Sequence, residues 1–446
     1  MERFVYNNLV DWTKEQRRKP LLLSGARQVG KTWLVENLAK EYFTHFLKAD
    51  FEKNPSLVAL FEGDLNPVQI CAELEIRTGI DIVSGKTLLF FDEIQNSPRA
   101  IMSLRYFYEN MPELHVIAAG SLLEFVFSEI SFPVGRIQMH EVFPMNFAEF
   151  LLALNFRKAS LVVNSPIVPV SDQIHDFLIE KLRTYWFTGG MPECVKVYSE
   201  TQSLKQTFQV QDEIIESYRL DFNKYKPQTD VNCLNMVFTK VAASVGQQTK
   251  YTGLANDYAI PTIRKAYESL LLAKVARKVK SVGNIGVPLE VYASDKKFKN
   301  VFLDIGLMNR IMGLDYNEAL NHSNLLAIYR GQLAEQYTGQ EFVSVADTQL
   351  YYWSRDAKNS NAEVDYLIQR NGETFPVEVK DGPSGRLRSL HLYFENFKPK
   401  LCFVFQSGKH AVLSNEKIVF LPLYFAGSLA KYGYNILDNH IENQLP

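Results

Sequence analysis

The chain has 446 residues, and at about 100–200 residues per domain that length makes two to four folded units. Hydrophobic residues make up 46% and aromatics 13%, enough for sizeable cores and too much for wholesale disorder. With 48 basic against 50 acidic residues the net charge is −2, so nothing global advertises nucleic acid or a membrane surface, although a local basic face fits inside a balanced total.

Cys71, Cys194, Cys233 and Cys402 are far apart and form no C-x-x-C pair, which argues against a disulfide framework or zinc ribbon and for a reducing compartment. The start, Met1-Glu2-Arg3-Phe4, lacks the charged, apolar, small-residue order of a signal peptide. No apolar run approaches the roughly 20 residues a bilayer needs. These features lead us to expect a cytoplasmic protein with no membrane partner.

Up to about Leu154, short apolar runs alternate with helical patterns: Leu21–Leu23, Thr44–Leu47, Thr87–Phe91 and His115–Ala119. That order predicts an α/β domain with a parallel sheet covered on both faces. After the first run comes Gly25-Ala26-Arg27-Gln28-Val29-Gly30-Lys31-Thr32, a full match to G-x-x-x-x-G-K-[ST], followed by the helical Trp33–Leu38. Glycines let the backbone wrap close to phosphates, so that its N–H groups and the helix N-terminus face the negative charge. All eight residues are candidate nucleotide ligands. Lys31 is expected to reach the β- and γ-phosphates and Thr32 to ligate Mg²⁺.

The run Leu88–Phe91 ends in Asp92-Glu93. An acid at a strand tip some 60 residues after a P-loop suits the Mg²⁺ shell, the expected role of Asp92, and Glu93 is the candidate to polarise the attacking water. With no N-K-x-D sequence, ATP is the expected nucleotide. Gly120-Ser121 closes the next strand, where the Ser121 hydroxyl could meet the γ-phosphate or the water. Gly135-Arg136 follows, and the Arg136 guanidinium is a candidate for stabilising transition-state charge in cis, or in trans across an oligomer interface.

Asn164–Pro169, with two prolines, reads as a connector, and residues 172–225 as mostly helical. Ile263, Tyr267, Leu270 and Leu271 fall at helical spacing, and the runs that follow, broken at Gly283-Asn284-Ile285-Gly286, predict a two-stranded ribbon, together the layout of a winged helix. Residues 250–310 hold 11 Lys/Arg against 5 Asp/Glu. Lys274, Arg277, Lys278, Lys280, Lys296, Lys297 and Lys299 form a stripe that either contacts DNA or RNA phosphates or is solvated on a lid that docks a protein partner. The eight histidines, including His322 and His440, show no metal-ligand spacing.

S-G-A-R-Q-V-G-K-T, L-L-F-F-D-E-I-Q, A-A-G-S-L-L, the G-R and F-P-M-N-F-A-E-F occur here in the order of a family of prokaryotic AAA-type P-loop ATPases, which the chain resembles. Those proteins are similar to the archaeal ATPase branch and carry a C-terminal domain of unknown function. The resemblance continues through Thr188–Glu193 and Phe302–Leu307, and so spans nearly the whole chain. Ala119 departs from it, because the family usually has a threonine there. The resemblance implies ATP chemistry and architecture rather than a cellular role.

Near the C-terminus, Glu363–Ile368 and Phe375–Lys380 flank an Asn371-Gly372 turn, which predicts a hairpin with Asp365 and Glu378 side by side and Lys380 on the same face as Glu378. An Asp followed by E-x-K is the arrangement of restriction-endonuclease-like folds, in which carboxylates hold Mg²⁺ and a lysine orients water. The family's C-terminal domain resembles that fold. Glu335, Asp365 and Glu378, with Lys380, are therefore candidates for a second Mg²⁺ site, against the alternatives of a solvated hairpin or a nuclease-like fold that does not cut.

The expected order is an ATPase domain over 1–160, a helical connector over 161–225, a winged-helix-like domain over 226–320 and a nuclease-like domain over 321–446. The expected function is an ATP-hydrolysing switch or motor acting on nucleic acid. Its competitors are an ATP-binding, oligomeric signalling scaffold and an ATP-gated nuclease.

Overall fold

The computed structural model describes residues 1–127, 130–225, 229–313, 325–346, 349–357, 360–380 and 387–433; His322 and His440 lie outside them. The chain divides into two compact units, one of Glu2–Phe143 with Leu272–Lys274, the other of Pro144–Leu271 with Val275–Pro446 and Met1.

In the first unit, β1 (Leu21–Ser24), β2 (His45–Asp50), β3 (Thr87–Asp92), β4 (His115–Ala119) and β5 (Gln138–Glu141) form one sheet in the order β2-β3-β4-β1-β5. Every pairing is parallel. β1, β3 and β4 are buried along their whole length, as continuous apolar runs between helical layers must be. β5 reads Gln-Met-His-Glu and lies at an edge. It gives no apolar signal, so the sequence pattern showed only four of the five strands.

The second unit begins with helices, among them Phe147–Ala153, Asp172–Thr188, Pro192–Thr201, Leu204–Asp221, Val231–Ala243 and Ile260–Leu272. It then builds a mixed sheet from β6 (Ala276–Val282), β7 (Ala293–Phe302), β8 (Tyr351–Ala357), β9 (Ser360–Arg370), β10 (Glu373–Val379), β11 (Cys402–Gln406), β12 (Ala411–Leu413) and β13 (Ile418–Pro422), in the order β12-β13-β11-β10-β9-β8-β6-β7. β9 and β10 form the expected hairpin. Asn371 and Gly372 take φ of 51° and 79°, the pair of positive values that a tight two-residue hairpin turn requires.

Two arrangements differ from the sequence reading. The first compact unit ends at Phe143 rather than near residue 160, because Met145 donates its N–H to the Gly190 carbonyl at 2.7 Å and so joins the helical unit. The β6–β7 ribbon is not a free wing. β6 pairs in parallel with β8, Lys280 opposite Tyr351, and the ribbon forms one edge of the eight-stranded sheet.

The helical motifs meet at Asp304, which is fully buried. Its carboxylate accepts the Gly190 N–H at 2.6 Å and caps the helix Ile305–Ile311 by accepting the Leu307 N–H at 3.0 Å. Gly189, at φ 70°, leaves no room for a Cβ beside that carboxylate. Gln211 donates to the Phe187 and Thr188 carbonyls, and Gln340 accepts the Ile305 N–H at 2.9 Å. The T-G-G and F-L-D-I-G signatures are thus two halves of one polar joint, in which the buried backbone N–H groups find partners and Thr188 Oγ1 and Gln211 Oε1 are left without one. Nearby, Glu341 in the helix Leu325–Ala346 accepts the Phe147 N–H at 2.8 Å.

Burial raises Asp304 to about 6 and Glu341 to about 8. Between the unfolded value near 4.3 and these folded values, the native state holds protons that the unfolded chain has released, so stability falls as pH rises through that window. Glu341→Gln keeps an acceptor for Phe147 and removes the titration. Thermal unfolding between pH 5 and 9 is expected to lose, in that variant, part of the wild-type downward slope, up to ~1.4 kcal/mol per pH unit for one proton. Equal slopes in both proteins would show that Glu341 is not protonated in the fold.

Candidate functional site

The phosphate loop joins β1 to the helix Lys31–Tyr42. Gly25 sits at φ 128° with the Val142 carbonyl where a side chain would go, and Gly30 takes a left-handed turn, φ 94°, at the helix start. Arg3 staples the loop by donating to the Val29 carbonyl at 3.0 Å and the Phe143 carbonyl at 2.7 Å. Lys31 Nζ folds along the loop, 2.8 Å from both the Gly25 and Ala26 carbonyls. Burial lowers Lys31 to about 8, against the pull of Glu93, Asp92 and Glu124. Arg27 turns toward Glu52, at 3.8 Å, and Gln28 takes a left-handed φ of 62°.

The two nucleotide motifs, sixty residues apart, come together at one point. Thr32 Oγ1 lies 3.1 Å from Asp92 Oδ2, where the loop after β1 meets the tip of β3. A hydroxyl beside a carboxylate suits Mg²⁺, which takes one or two protein oxygens and completes its shell with phosphates and water. Lys48 on β2 lies 3.0 Å from Asp92 Oδ2 and also reaches Glu36 at 3.1 Å. Burial works against the Lys48 charge, but those two carboxylates outweigh it and raise its pKa. Glu93 takes a left-handed conformation, φ 50°, that swings it off the strand axis. Gln95 Nε2 then donates to its Oε2 at 2.5 Å.

Ser121 follows β4, whose end is tied to β1 by the Gly120 N–H on the Leu23 carbonyl at 3.2 Å. Its hydroxyl is buried without a hydrogen-bond partner. Arg136 lies elsewhere. It precedes β5, whose first residue pairs with the first residue of β1, so it sits at the edge where the strands begin, and the phosphate loop lies where they end. Its Nε donates to Glu109 Oε1 at 3.0 Å, in the last turn of the helix Pro98–Asn110. Arg3, Lys48 and Gln95 were not singled out from the sequence. Gln95 closes the L-L-F-F-D-E-I-Q segment, and Lys48 stands three residues into a strand whose neighbours are apolar, so both left a trace there that Arg3 did not.

The C-terminal candidates also assemble, with an addition. Asp365 on β9 and Glu378 on β10 flank the hairpin, and Glu335 comes from the helix Leu325–Ala346. Lys380 Nζ lies 2.5 Å from Glu378 Oε1, and Asp365 Oδ2 accepts the Val379 N–H at 2.8 Å. Among these acids lies Lys299 of β7, its side chain 1% exposed, 2.7 Å from Glu335, 3.2 Å from Asp365 and ion-paired with Glu363. Burial works against the Lys299 charge, but the three carboxylates outweigh it and hold its pKa well above the usual value. Burial raises Glu335 to about 7, against the pull of Lys299. Burial and the neighbouring Asp365 raise Glu378 to about 8. No group of three or more His, Cys, Asp or Glu among the described residues is arranged to hold a metal ion.

Four of the seven residues of the basic stripe are held in internal pairs, while Lys296 is exposed. Lys274 reaches Glu124 at 2.9 Å and Glu141 at 3.4 Å, Lys278 reaches Asp295 at 2.8 Å, and Lys280 pairs with Glu290. Lys299 is too buried to touch a phosphate. The local excess of six positive charges, counted on the sequence, therefore overstates what solvent sees. No helix of the described residues is long and apolar enough to cross a membrane.

Residues 17–151 match the family model of an AAA domain, and two domains of unknown function match residues 179–318 (DUF8612) and 330–425 (DUF4143). The N-terminal part of the chain thus matches an AAA domain and has a parallel P-loop sheet, followed by a helical region and a mixed-sheet domain. Solved structures similar to the chain include a Walker-type ATPase of Pyrococcus abyssi, 15% identical, covering 70% of this chain and 95% of that one at a TM-score of 0.43. Another is the RuvB Holliday junction branch migration motor of Thermotoga maritima, 15% identical, covering 63% and 90% at a TM-score of 0.31. A search of curated proteins found no match.

Gly25→Ala puts a methyl against the Val142 carbonyl at a φ that L-residues avoid, and is expected to cost about 1–3 kcal/mol and weaken ATP binding. Gly63→Ala, which meets open space, is the control. Thermal unfolding and binding of a fluorescent ATP analogue check both; wild-type affinity in Gly25→Ala would mean that the loop relaxes freely.

Proposed function

We propose that the chain binds ATP with Mg²⁺ and hydrolyses it, as a nucleotide-driven switch or motor. The observation that carries this reading is the Thr32–Asp92 contact at 3.1 Å, made beside a full phosphate loop. Backbone N–H groups of Gly25–Gly30 and the helix N-terminus would cradle the phosphates, with Lys31 leaving the loop carbonyls for phosphate oxygens. Thr32 and Asp92 would hold the Mg²⁺, which supplies charge neutralisation on the β- and γ-oxygens. Glu93, aimed by Gln95, orients the attacking water and accepts its proton, and the unpartnered Ser121 hydroxyl gains a γ-phosphate oxygen or that water as partner.

Arg136 stands at the far edge of the sheet from its own phosphate loop, which favours the trans alternative. Its surroundings support contact with a second copy: Val134 is 83% exposed, and Met102, Tyr106, Phe132 and Pro133 line a cavity of about 400 Å³ beside it. Arg105 and Ser131 line the same cavity, and a mixed, arginine-bearing surface of this kind suits a homo-oligomer in which each Arg136 serves a neighbour's nucleotide.

The partner coupled to ATP turnover is either nucleic acid or protein. The ion pairs of Lys274, Lys278, Lys280 and Lys299 leave a weak phosphate-binding face and favour a protein.

Phosphate release from ATP tests the reading. Wild type is expected to turn over with Mg²⁺, and Lys31→Ala and Glu93→Gln are expected to lose turnover by on the order of 10³-fold. Mixing Lys31→Ala with Arg136→Ala, each inactive alone, is expected to restore part of the rate, because the intact phosphate loop of one protomer meets the intact arginine of another. No recovery would remove Arg136 from the site. ATP bound without any turnover would favour a signalling scaffold, and stimulation by DNA or RNA would restore nucleic acid as the partner.

A further inference from the structure

The carboxylates expected to hold a second Mg²⁺ do not fit one. A divalent cation needs several free oxygens converging on one point. Here the convergence point of Glu335, Glu363 and Asp365 is taken by the Lys299 ammonium, 2.7 Å from Glu335 and 3.2 Å from Asp365. The second Asp365 oxygen receives the Val379 N–H, and Glu378 Oε1 receives Lys380. Of the oxygens expected to bind metal, Glu378 Oε2, buried without a partner, and Glu335 Oε2 are left unengaged, and the other oxygen of each of these carboxylates already holds an ammonium, Lys380 and Lys299.

We propose that Lys299 is the built-in cation of this cluster, standing where a nuclease of the D…E-x-K type holds its metal, and that the C-terminal domain is therefore a binding module rather than a metal-dependent nuclease. The lysine comes from β7, outside the hairpin that carries the motif, and its side chain is 1% exposed, so it is neither a surface residue nor a substrate ligand. Three donors on a tetrahedral nitrogen match three carboxylates, so the ammonium fills the point on which their oxygens converge. The inference is independent of ATP hydrolysis, because it concerns residues of the second unit alone.

Manganese titration of the nucleotide-free protein, read from the electron-paramagnetic signal of free Mn²⁺, tests this. Wild type is expected to take up no equivalent that depends on Asp365, so wild type and Asp365→Asn should give the same titration. Lys299→Met removes the ammonium and keeps its apolar stem. It is expected to gain one saturable Mn²⁺ equivalent and a rise in thermal midpoint with the metal. A wild-type equivalent that disappears in Asp365→Asn would overturn the proposal, and so would a folded Lys299→Met that takes up no Mn²⁺. If Lys299→Met does not fold, the comparison of wild type with Asp365→Asn still decides.

Discussion

A carboxylate at the end of a fully buried strand has to find its partners inside the protein, and the nucleotide half of this chain is arranged around that requirement at Asp92. Thr32 from the phosphate loop and Lys48 from the neighbouring strand both reach it. Because β2 and β3 run parallel with Asp50 opposite Asp92, Lys48 stands two residues back along its own strand, and its ammonium lies 5.7 Å from the Phe90 ring centroid and reaches the carboxylate. The pair places the Asp92 carboxylate at the end of a strand that is buried along its whole length. The same carboxylate fixes the helix start through Thr32, so loop, strand and helix are held by one group. Glu93, one residue on, leaves the strand through a left-handed turn and can face solvent where Asp92 cannot.

The second unit obeys the same rule with different donors. Asp304 has no cation; backbone N–H groups of Gly190 and Leu307 satisfy it, and burial then raises its pKa rather than forcing an ion pair. The T-G-G-M-P-E and F-L-D-I-G segments meet at this carboxylate: Gly189 leaves no room for a Cβ beside it, and Asp304 caps one helix while holding the loop at Gly190.

The parallel sheet, the phosphate loop and the Asp92-Glu93 strand end were legible because each is a local pattern: an apolar run, a glycine spacing, an acid at a strand tip. The Asn371-Gly372 hairpin was legible for the same reason. Position across the sheet was not. Arg136 follows the nucleotide motifs in sequence, yet a parallel strand begins at the edge opposite the one where its predecessor ends, and so it lies far from its own loop. β5 escaped because an edge strand needs no apolar face on its open side. The ribbon of β6 and β7 has the pattern of a wing, and only its pairing with β8 shows that it belongs to a larger sheet.

Lys299 shows why a charge count along the chain misleads. On the sequence it is one of seven cations in a stripe, equivalent to Lys296 three residues earlier. In the fold β7 alternates its faces, and the face bearing Lys299 turns inward against the helix Leu325–Ala346 and the hairpin strand β9. Three carboxylates brought together there would repel one another, and the ammonium removes that repulsion while tying β7 to two other elements. The ribbon joins the sheet through the β6–β8 pairing, and the Lys299 contacts add a second tie, from β7 to Glu335 and Asp365, which also takes this lysine out of any phosphate-binding surface.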